Sequence, residues 1–391
     1  MRLLLDWFQH PEKNFYPIII AGTKGKGSTG FFLESILREA KISVGFYVSP
    51  HIETPRERIR IQGQIISEKE WVSALKRIKA TLKKNMPALM KMKIGELTYF
   101  EVMTLMAAEV FAARKVQVAI FEVGMGGRCD ATNIFDAKIS ILTPIHLDHE
   151  AILGNTIAKI AAEKVEVVRP RADVVVAPQT SEAKRVIDAK IKAVLAKAHW
   201  VKTNAKRRVG LIGEFQKINA ECAARAAELI ATKEKFDLSK SVVEKALLRA
   251  QWPGRMEIVA KSPYVMIDAA HNPTAAKALV GSLAKVFSEQ KKEAVLVFGT
   301  SRDKNSAQML KILSGYFRRV VFTRAQNSRS AEISSLVEQG RSLFDTVYVE
   351  INSDQALITA KRLVGSKGLV VVTGSFFLIG EIRKKSACSI L

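Results

Sequence analysis

The stretch IIIAGTKGKGST, residues 18–29, joins an apolar run to a loop that is rich in glycine and ends in hydroxyl side chains. Only two residues separate Gly22 from Gly25, where the standard phosphate loop places four before its Gly-Lys pair. A further glycine then stands between Lys26 and Ser28. The stretch is therefore either a nucleotide loop of another type or a glycine-rich turn that contains lysine.

The position of this loop favours the first interpretation. It lies where a predicted strand gives way to a predicted helix, so backbone N–H groups and the positive end of the helix would face a bound anion. Lys26 can neutralise phosphate charge, and Ser28 or Thr29 can offer a hydroxyl to Mg²⁺. The alternative is a glycine turn with a surface lysine.

Length and composition indicate a soluble globular protein with two or three domains. The chain has 391 residues, 48% hydrophobic and 25% charged, and one core rarely organises more than about 250–300 residues. Its apolar runs are shorter than the ~18 residues of a membrane span, and its first residues lack the pattern of a secretory signal. The three cysteines lie far apart without metal-type spacing, as is typical of a reducing cytoplasm. We therefore expect a cytoplasmic protein with no membrane partner.

The net charge of +23 is the unusual bulk property of the chain. Such an excess attracts polyanions such as nucleic acid, anionic lipid or acidic metabolites. The basic residues are dispersed, apart from a cluster at 76–93 and a KRR run at 206–208, and no nucleic-acid-binding module accompanies them. We interpret them as solvated basic faces and expect no nucleic-acid partner, while the steering of an anionic substrate stays open.

Apolar strands alternate with amphipathic helices along the chain, which predicts an α/β fold. The first series runs from YPIIIAG to ADVVVAP, includes a helix over 155–168, and is followed by a helix over 181–198. Strands with helical crossovers imply a mostly parallel sheet covered on both faces. The alternation restarts after Pro253-Gly254. We therefore predict a phosphate-loop domain over 1–254 and a smaller α/β domain over 255–391.

Polar side chains follow three more of the predicted strands. Ser49 follows the strand in ISVGFYVS, Glu122 ends the strand in VQVAIFEVG, and His149 follows the strand in KISILTPI. Ligands in open α/β sheets gather at the carboxyl ends of the strands, so a hydroxyl, a carboxylate and an imidazole could meet at the metal of a bound nucleotide. Taken singly, the ordinary interpretations are a helix cap for Ser49, a surface acid for Glu122 and a hydrogen-bonding loop residue for His149.

Several motifs in one order resemble a known family. They are AGTKGKGST, YVSPH with RERIRI, TYFEVMTLMA, EVGMGGRCDATN, LDHEAILGNTIAKIAAEK, WPGRMEI and IDAAHNP, spread over residues 17–381. These segments are similar to folylpolyglutamate synthase and to its bifunctional form with dihydrofolate synthase, which belong to the Mur ligase superfamily. The loop spacing G-T-K-G-K-G-S is a phosphate-loop variant of this family, so the resemblance implies a true nucleotide loop.

The resemblance implies an ATP-dependent amide ligase. ATP would phosphorylate a substrate carboxylate, and the amine of L-glutamate would attack the resulting acyl phosphate. The implied Mg²⁺ ligands are Ser28, Ser49, Glu122 and His149, and Lys26 is implied to be catalytic. The ATP-binding residues implied for the first half are Gly22, Thr23, Lys24, Gly25, Lys26, Gly27, Ser28 and Thr29.

The same resemblance assigns roles in the second half of the chain. Asn219, Arg255, Asp268 and His271 match nucleotide-site positions, so ATP would bind across the two predicted domains. His271 is implied to be catalytic, and His271 and Ser375 are the candidates for the glutamate site. The implied partners are a folate or dihydropteroate together with L-glutamate, and a monomer is expected.

Lys164 lies on a predicted helix, on the apolar face that also carries Ile157 and Ile160. A buried ammonium is costly, so the pKa of Lys164 should fall and leave a neutral amine that can react with CO₂. The resemblance agrees, since Lys164 matches the carbamylated lysine of the family's A-x-E-K segment. The alternative is a lysine whose stem packs on the core while its ammonium reaches water or a carboxylate.

Two other functions stay open at this stage. A Mur-type ligase could join another amino acid to a different carboxylate with the same motifs. A basic nucleic-acid-binding ATPase would account for the charge, but the sequence contains no recognition module for it. The motifs do not separate folate from dihydropteroate as the acceptor, and they do not fix the glutamate chain length of the product.

Overall fold

The structure is a computed structural model that describes residues 1–91 and 95–388, so Lys93 of the basic cluster lies outside the described residues. The chain divides into two compact units. Unit 1 consists of Met1–Ser49, Arg56–Gly210 and Gln216–Ala250, and unit 2 consists of Pro50–Pro55, Leu211–Phe215 and Gln251–Leu391. The domain boundary that we placed between 254 and 255 stays a prediction.

Unit 1 is built on a mostly parallel sheet. Its strands are β1 (Tyr16–Ala21), β2 (Val44–Tyr47), β3 (Ile59–Ile61), β4 (Gln64–Ile65), β5 (Val118–Glu122), β6 (Ile139–Leu142), β7 (Asp173–Val176) and β8 (Lys197–Trp200). Their order across the sheet is β4-β3-β2-β5-β1-β6-β7-β8. Strands β3 and β4 are antiparallel to their neighbours, and the other pairs are parallel.

Helices cover this sheet and close its core. They are α1 (Arg2–Trp7), α2 (Lys26–Glu39), α3 (Glu68–Lys91), α4 (Tyr99–Ala113), α5 (Glu150–Leu153), α6 (Ile157–Lys164), α7 (Ser181–Ala193), α8 (Phe215–Glu234) and α9 (Lys240–Arg249). Buried strands of a parallel sheet are apolar along their whole length, as β1 is at Ile18, Ile19 and Ile20. Side-chain caps define several helix starts, including Thr98, which forms a capping box with Glu101.

Unit 2 has its own sheet and core. The strands are β9 (Glu257–Lys261), β10 (Tyr264–Ile267), β11 (Val295–Phe298), β12 (Arg319–Phe322), β13 (Thr346–Val349) and β14 (Leu369–Thr373), in the order β13-β12-β11-β14-β10-β9. Only β9 is antiparallel to its neighbour among these described strands. The helices are α10 (Pro273–Val286), α11 (Ser306–Leu313), α12 (Ile333–Gly340), α13 (Ser353–Val364) and α14 (Phe376–Cys388).

A short early segment of the chain belongs to unit 2. Ile52 packs against the core that includes Ile379, and a Cβ on Gly380 would overlap the main-chain oxygen of Ile52. Glu53 forms an ion pair with Arg383 of α14. This unit is therefore assembled from parts of the chain that are far apart in sequence.

The α/β fold with two parallel-dominated sheets is confirmed, but one predicted element is wrong. The helix expected over 181–198 ends at Ala193, and residues 197–200 form β8. Leu195 has a left-handed backbone with φ 53°, which stops a helix, and Lys197 pairs with Asp173 of β7. Sheet pairing thus overrides the local helical pattern. In the described part of the chain, no helix is long and apolar enough to cross a membrane.

Candidate active site

The sheet of unit 1 brings three of the predicted site residues, Gly22, Ser49 and Glu122, to one edge. Strands β2, β5, β1 and β6 are neighbours and run parallel. Their carboxyl ends therefore place Ser49, Glu122, Gly22 and Thr143 side by side, at the edge where open α/β sheets bind ligands.

The loop after β1 is held against the loop after β6. The backbone N–H groups of Thr23 and Lys24 donate hydrogen bonds to the carbonyl of Pro144, at 3.1 and 3.3 Å. The Thr23 hydroxyl donates to the carbonyl of His146 and accepts from its N–H, both at 3.1 Å. These bonds fix the path of the loop before α2 begins.

Gly25 and Asn219 meet at the start of α2. Gly25 is the N-cap and has a left-handed backbone with φ 86°, which glycine adopts without steric cost. A Cβ on Gly25 would overlap the side-chain oxygen of Asn219. The amide nitrogen of Asn219 donates to Gln216 at 2.9 Å, which fixes the orientation of the Asn219 side chain. The structure thus brings Asn219 to the loop, although 190 or so positions separate them in sequence.

The hydroxyls and the lysine of the loop lie at the first turn of α2. Nζ of Lys26 donates to the carbonyl of Gly22 at 3.2 Å. Ser28 and Thr29 are buried, and the Thr29 hydroxyl has no hydrogen-bond partner within the described residues. A buried polar atom of this kind calls for a partner that the chain does not supply.

Glu122 lies beside the same helix end. Its Oε2 accepts a hydrogen bond from the N–H of Ser49 at 3.2 Å, and a Cβ on Gly27 would be 3.4 Å from that oxygen. Glu122 is buried. The Glu122 carboxylate, the Ser49 segment and the start of α2 therefore lie next to one another.

His149 has a different setting. It precedes α5 with a left-handed backbone of φ 51°, and its ring lies 3.8 Å from the Asp148 carboxylate. Across residues 1–91 and 95–388, no three His, Cys, Asp or Glu side chains are grouped to hold a metal ion. The predicted metal ligands thus supply a single carboxylate, which suits Mg²⁺ because this ion takes many of its ligands from phosphate and water.

Lys164 is buried at the end of α6, with Ile160 and Ala161 on the same face. Burial, and after it the positive charge of Lys26, lowers the pKa of Lys164 to about 7. Asp148 and Asp130 oppose this shift. The expected burial and lowered pKa are confirmed, so a large fraction of this lysine is neutral near pH 7.

In unit 2, Asp268 follows β10 and is buried. Its carboxylate accepts hydrogen bonds from the N–H groups of Met256 and Ala270, both at 2.9 Å. Burial raises the pKa of Asp268, while the charge of Arg255 and the two N–H donors oppose the rise. Asp268 thereby ties the segment before β9 to the end of β10.

Arg255 and His271, two predicted site residues of unit 2, lie beside the ring of Phe376. The guanidinium of Arg255 lies 5.2 Å from the centre of the Phe376 ring, and the His271 ring is 5.4 Å from it. Nδ1 of His271 is 2.9 Å from the carbonyl of Ala269. Because a carbonyl only accepts, Nδ1 is the donor of this hydrogen bond. The adjacent Ser375 accepts a hydrogen bond from the N–H of Phe377 at 3.1 Å.

Comparison with known proteins shows which family the chain belongs to. The family model described as Mur ligase, glutamate ligase domain, matches residues 254–376. The dihydrofolate synthase/folylpolyglutamate synthase of Bacillus subtilis is 32% identical over 410 residues, covering 98% of this chain and 94% of that protein. This chain belongs to the folylpolyglutamate/dihydrofolate synthase family.

Solved structures of the folylpolyglutamate/dihydrofolate synthase family agree with this fold. A Mycobacterium tuberculosis folylpolyglutamate synthase complexed with ADP is 29% identical, with a TM-score of 0.89 and coverage of 98% of this chain and 93% of that one. E. coli FolC in complex with DHPP and ADP is 27% identical, with a TM-score of 0.84 and coverage of 100% and 93%.

Asp130 is a structural residue of this site that the sequence analysis missed. Its carboxylate accepts hydrogen bonds from the N–H groups of Gly124 and Met125, at 2.9 and 3.1 Å, and from the N–H and hydroxyl of Thr132. It therefore shapes the loop after Glu122. An aspartate two residues before a threonine often closes such a turn, so the segment DATN contained the signal.

A substitution of Gly22 tests the described packing of the loop. It has φ 143°, and a Cβ would overlap the Thr143 hydroxyl. We expect Gly22→Ala to lower the free energy of unfolding by about 1–3 kcal/mol and to weaken ATP binding, measured by urea unfolding and by titration with a nucleotide analogue.

The matched control is Gly281→Ala, because Gly281 lies in α10 with open space around the added methyl group. Alanine is the better helix former there, so stability should rise by roughly 0.5–1 kcal/mol. Equal stability of Gly22→Ala and the wild type would contradict the described packing of the loop.

Proposed function

We propose that this chain joins L-glutamate to a carboxylate of a folate in an ATP-dependent reaction that forms an amide. The observation that carries the proposal is the convergence of the glycine loop, Glu122 and the Ser49 segment at one sheet edge. The family membership supports the choice of ligase chemistry, and the names of the relatives support glutamate and folate as substrates.

The reaction proceeds in two displacements. A carboxylate oxygen of the folate attacks the γ-phosphorus of ATP, and ADP leaves. The amine of L-glutamate then attacks the acyl carbon, the bond from that carbon to the phosphate oxygen breaks, and the amine loses a proton. Phosphate is a workable leaving group where oxide is not, and the protein's contribution is mainly positioning and charge neutralisation.

We assign the phosphates of ATP to the loop and the first turn of α2. Lys26 neutralises phosphate charge, and the N–H groups at this helix start face the anion. The other residues assigned to ATP in this unit are Gly22, Thr23, Lys24, Gly25, Gly27, Ser28, Thr29 and Asn219. The side-chain nitrogen of Lys26 already lies over this loop, at the carbonyl of Gly22.

We assign Mg²⁺ to Ser28, Ser49, Glu122 and His149. Oxygen ligands and one carboxylate suit this ion, which keeps several waters and binds nucleotide phosphates. When bound, it supplies positive charge to the phosphates. The buried Thr29 hydroxyl, which lacks a partner among the described residues, and Glu122 beside Gly27 support a ligand at this helix end.

We also propose that Lys164 is carbamylated. The neutral amine attacks the carbon of CO₂ and releases a proton, which gives a carbamate with two oxygens and one negative charge. Burial and the pKa of about 7 support the neutral form. The carbamate oxygens suit Mg²⁺, so this lysine would support the proposed metal site.

Arg255 and Asp268 of unit 2 are assigned to ATP use, and His271 and Ser375 to glutamate and catalysis. We expect Arg255→Ala to raise the KM for ATP at least about tenfold, since it removes a charge-assisted contact to phosphate. Asp268→Ala should have a similar effect because the carboxylate anchors the N–H of Met256, next to Arg255.

Steady-state kinetics with varied ATP measures both effects. Arg319→Ala is the control. Arg319 donates a hydrogen bond of 2.7 Å to the carbonyl of Leu363, and neither residue is assigned to the site. Wild-type constants for ATP in both variants would refute a role of unit 2 in nucleotide use.

The acceptor is tested by glutamate-dependent release of ADP, assayed separately with tetrahydrofolate and with dihydropteroate. We expect turnover with tetrahydrofolate. Turnover with dihydropteroate would add the second activity, which the bifunctional Bacillus subtilis relative carries in its name. If neither acceptor stimulates ADP release and another amino acid or carboxylate does, the folate assignment fails while the ligase assignment holds.

A further inference from the structure

Helix α3 carries the basic cluster that the ligase function leaves unexplained. It has seven basic residues against two acidic ones. Arg77 is paired with Glu109 at 3.3 Å. The six lysines of the helix are exposed, and within residues 1–91 and 95–388 none of them forms an ion pair.

One face of α3 combines these lysines with exposed apolar side chains. Residues spaced by three or four positions share a helix face. The α3 face, as we name it, consists of Val72, Leu75, Lys79, Lys83, Met86 and Met90, all of them exposed. Lys76 lies beside this face on its solvent side.

A separate stripe holds α3 on unit 1. Ala74 and Ile78 belong to the core of unit 1, and the partly buried Trp71 and Leu82 pack against it. Leu89 is buried as well. The helix is therefore formed and fixed without the α3 face, whose apolar groups remain in water. Clusters of large exposed apolar residues mark interaction surfaces, and this face has two, Val72 with Leu75 and Met86 with Met90.

We propose that the α3 face binds the surface of an anionic lipid bilayer, with the helix lying in the plane of the interface. This proposal replaces the expectation from the sequence that the chain has no membrane partner. Interfacial helices combine an apolar face with lysines that reach the headgroups. The net charge of +23 adds long-range attraction to the same partner. The lysines and the apolar side chains of the α3 face thus both complement the surface of an anionic bilayer.

Nucleic acid fits this face less well. Protein surfaces that bind single strands stack bases on aromatic side chains, and phosphate recognition favours the fork of arginine. The α3 face has no aromatic residue, and Arg77 of this helix is engaged by Glu109.

The test is co-sedimentation of the full chain with vesicles of phosphatidylcholine alone or of equimolar phosphatidylcholine and phosphatidylglycerol. We expect binding only to the second kind, weakened by salt. The triple substitution Lys76→Gln, Lys79→Gln and Lys83→Gln should lower the partition coefficient about a hundredfold, since each lysine near the surface contributes roughly a factor of five.

Two matched controls separate this face from the overall charge. Lys277→Gln, Lys285→Gln and Lys311→Gln remove the same charge from exposed positions of α10 and α11 and should leave binding within about twofold. Met90→Asp should abolish binding, whereas Ile351→Asp, at a residue of similar exposure (71% against 72%), should not.

Three outcomes would overturn the proposal. One is an equal loss of vesicle binding in both lysine triples, which would assign the attraction to net charge alone. A second is no binding of the wild type to the anionic vesicles at low salt. The third is tighter binding to single-stranded RNA than to vesicles, with Met90→Asp unaffected, which would make the surface a nucleic-acid site. Unchanged ligase activity in the variants, none of which lies in the assigned site, verifies their folding.

Discussion

Lys26→Ala should reduce kcat for glutamate-dependent ADP release about a thousandfold or more. The lysine lies at the first turn of α2 and its Nζ donates to the carbonyl of Gly22, and its charge is assigned to the phosphates of ATP. Removal of a cation that stabilises phosphoryl transfer costs roughly 10³–10⁵ in rate. The measurement is a coupled assay for ADP at saturating Mg²⁺ and ATP.

The control for this prediction is Lys285→Ala, at an exposed lysine of α10, which should keep wild-type rates. Thermal unfolding should show that Lys26→Ala remains folded, because only one side-chain hydrogen bond of Lys26 is lost. A folded Lys26→Ala with near-normal turnover would refute the assignment of the loop to ATP.

Lys164→Ala should lose roughly a hundredfold in activity, as is typical when a group that supports a metal site is removed. Short carboxylic acids added to the buffer should restore part of the activity, because their oxygens can replace the carbamate. Lys159→Ala, at an exposed lysine of the same helix α6, is the matched control and should be neutral. Carbon NMR with labelled bicarbonate should detect a carbamate in the wild type and none in Lys164→Ala.

The pH dependence of this modification follows from the lowered pKa of Lys164. Below about pH 7 the amine is protonated and does not react with CO₂, so bicarbonate-dependent activity should rise as the pH passes upward through about 7. An ordinary exposed lysine, with a pKa near 10.4, would show that rise only in strongly alkaline buffer. Full activity of Lys164→Ala in CO₂-depleted buffer without any added acid would eliminate the carbamate.

The sequence predicted the parts of this molecule that local patterns determine. Strand-end residues such as Ser49 and Glu122 could be placed on one edge, because parallel strands bring their carboxyl ends together. The burial of Lys164 followed from helical spacing alone. The resemblance supplied the residues of the second half, among them Asn219 and Arg255, whose roles stay predictions.

Long-range pairing accounts for what the sequence did not predict. Strand β8 follows a left-handed Leu195 and exists because it pairs with β7. Phe376 could not be anticipated beside Arg255 and His271, since only the neighbouring strands β10 and β14 bring it there. Asp130 shapes its loop through four hydrogen bonds. The DATN motif indicates only the turn from Asp130 to Thr132.

The early segment Pro50–Pro55 has a consequence for how the molecule is made. Glu53 and Arg383, which pair in unit 2, are 330 positions apart. At about 5–20 residues per second, a ribosome needs roughly 15–65 s to synthesise the chain between them. Glu53 is therefore synthesised long before Arg383, which is added when translation is nearly complete. Unit 2 thus has a high contact order and completes its folding late. Shortening the last helix would thus remove contacts of Ile52 and Glu53, at the opposite end of the sequence.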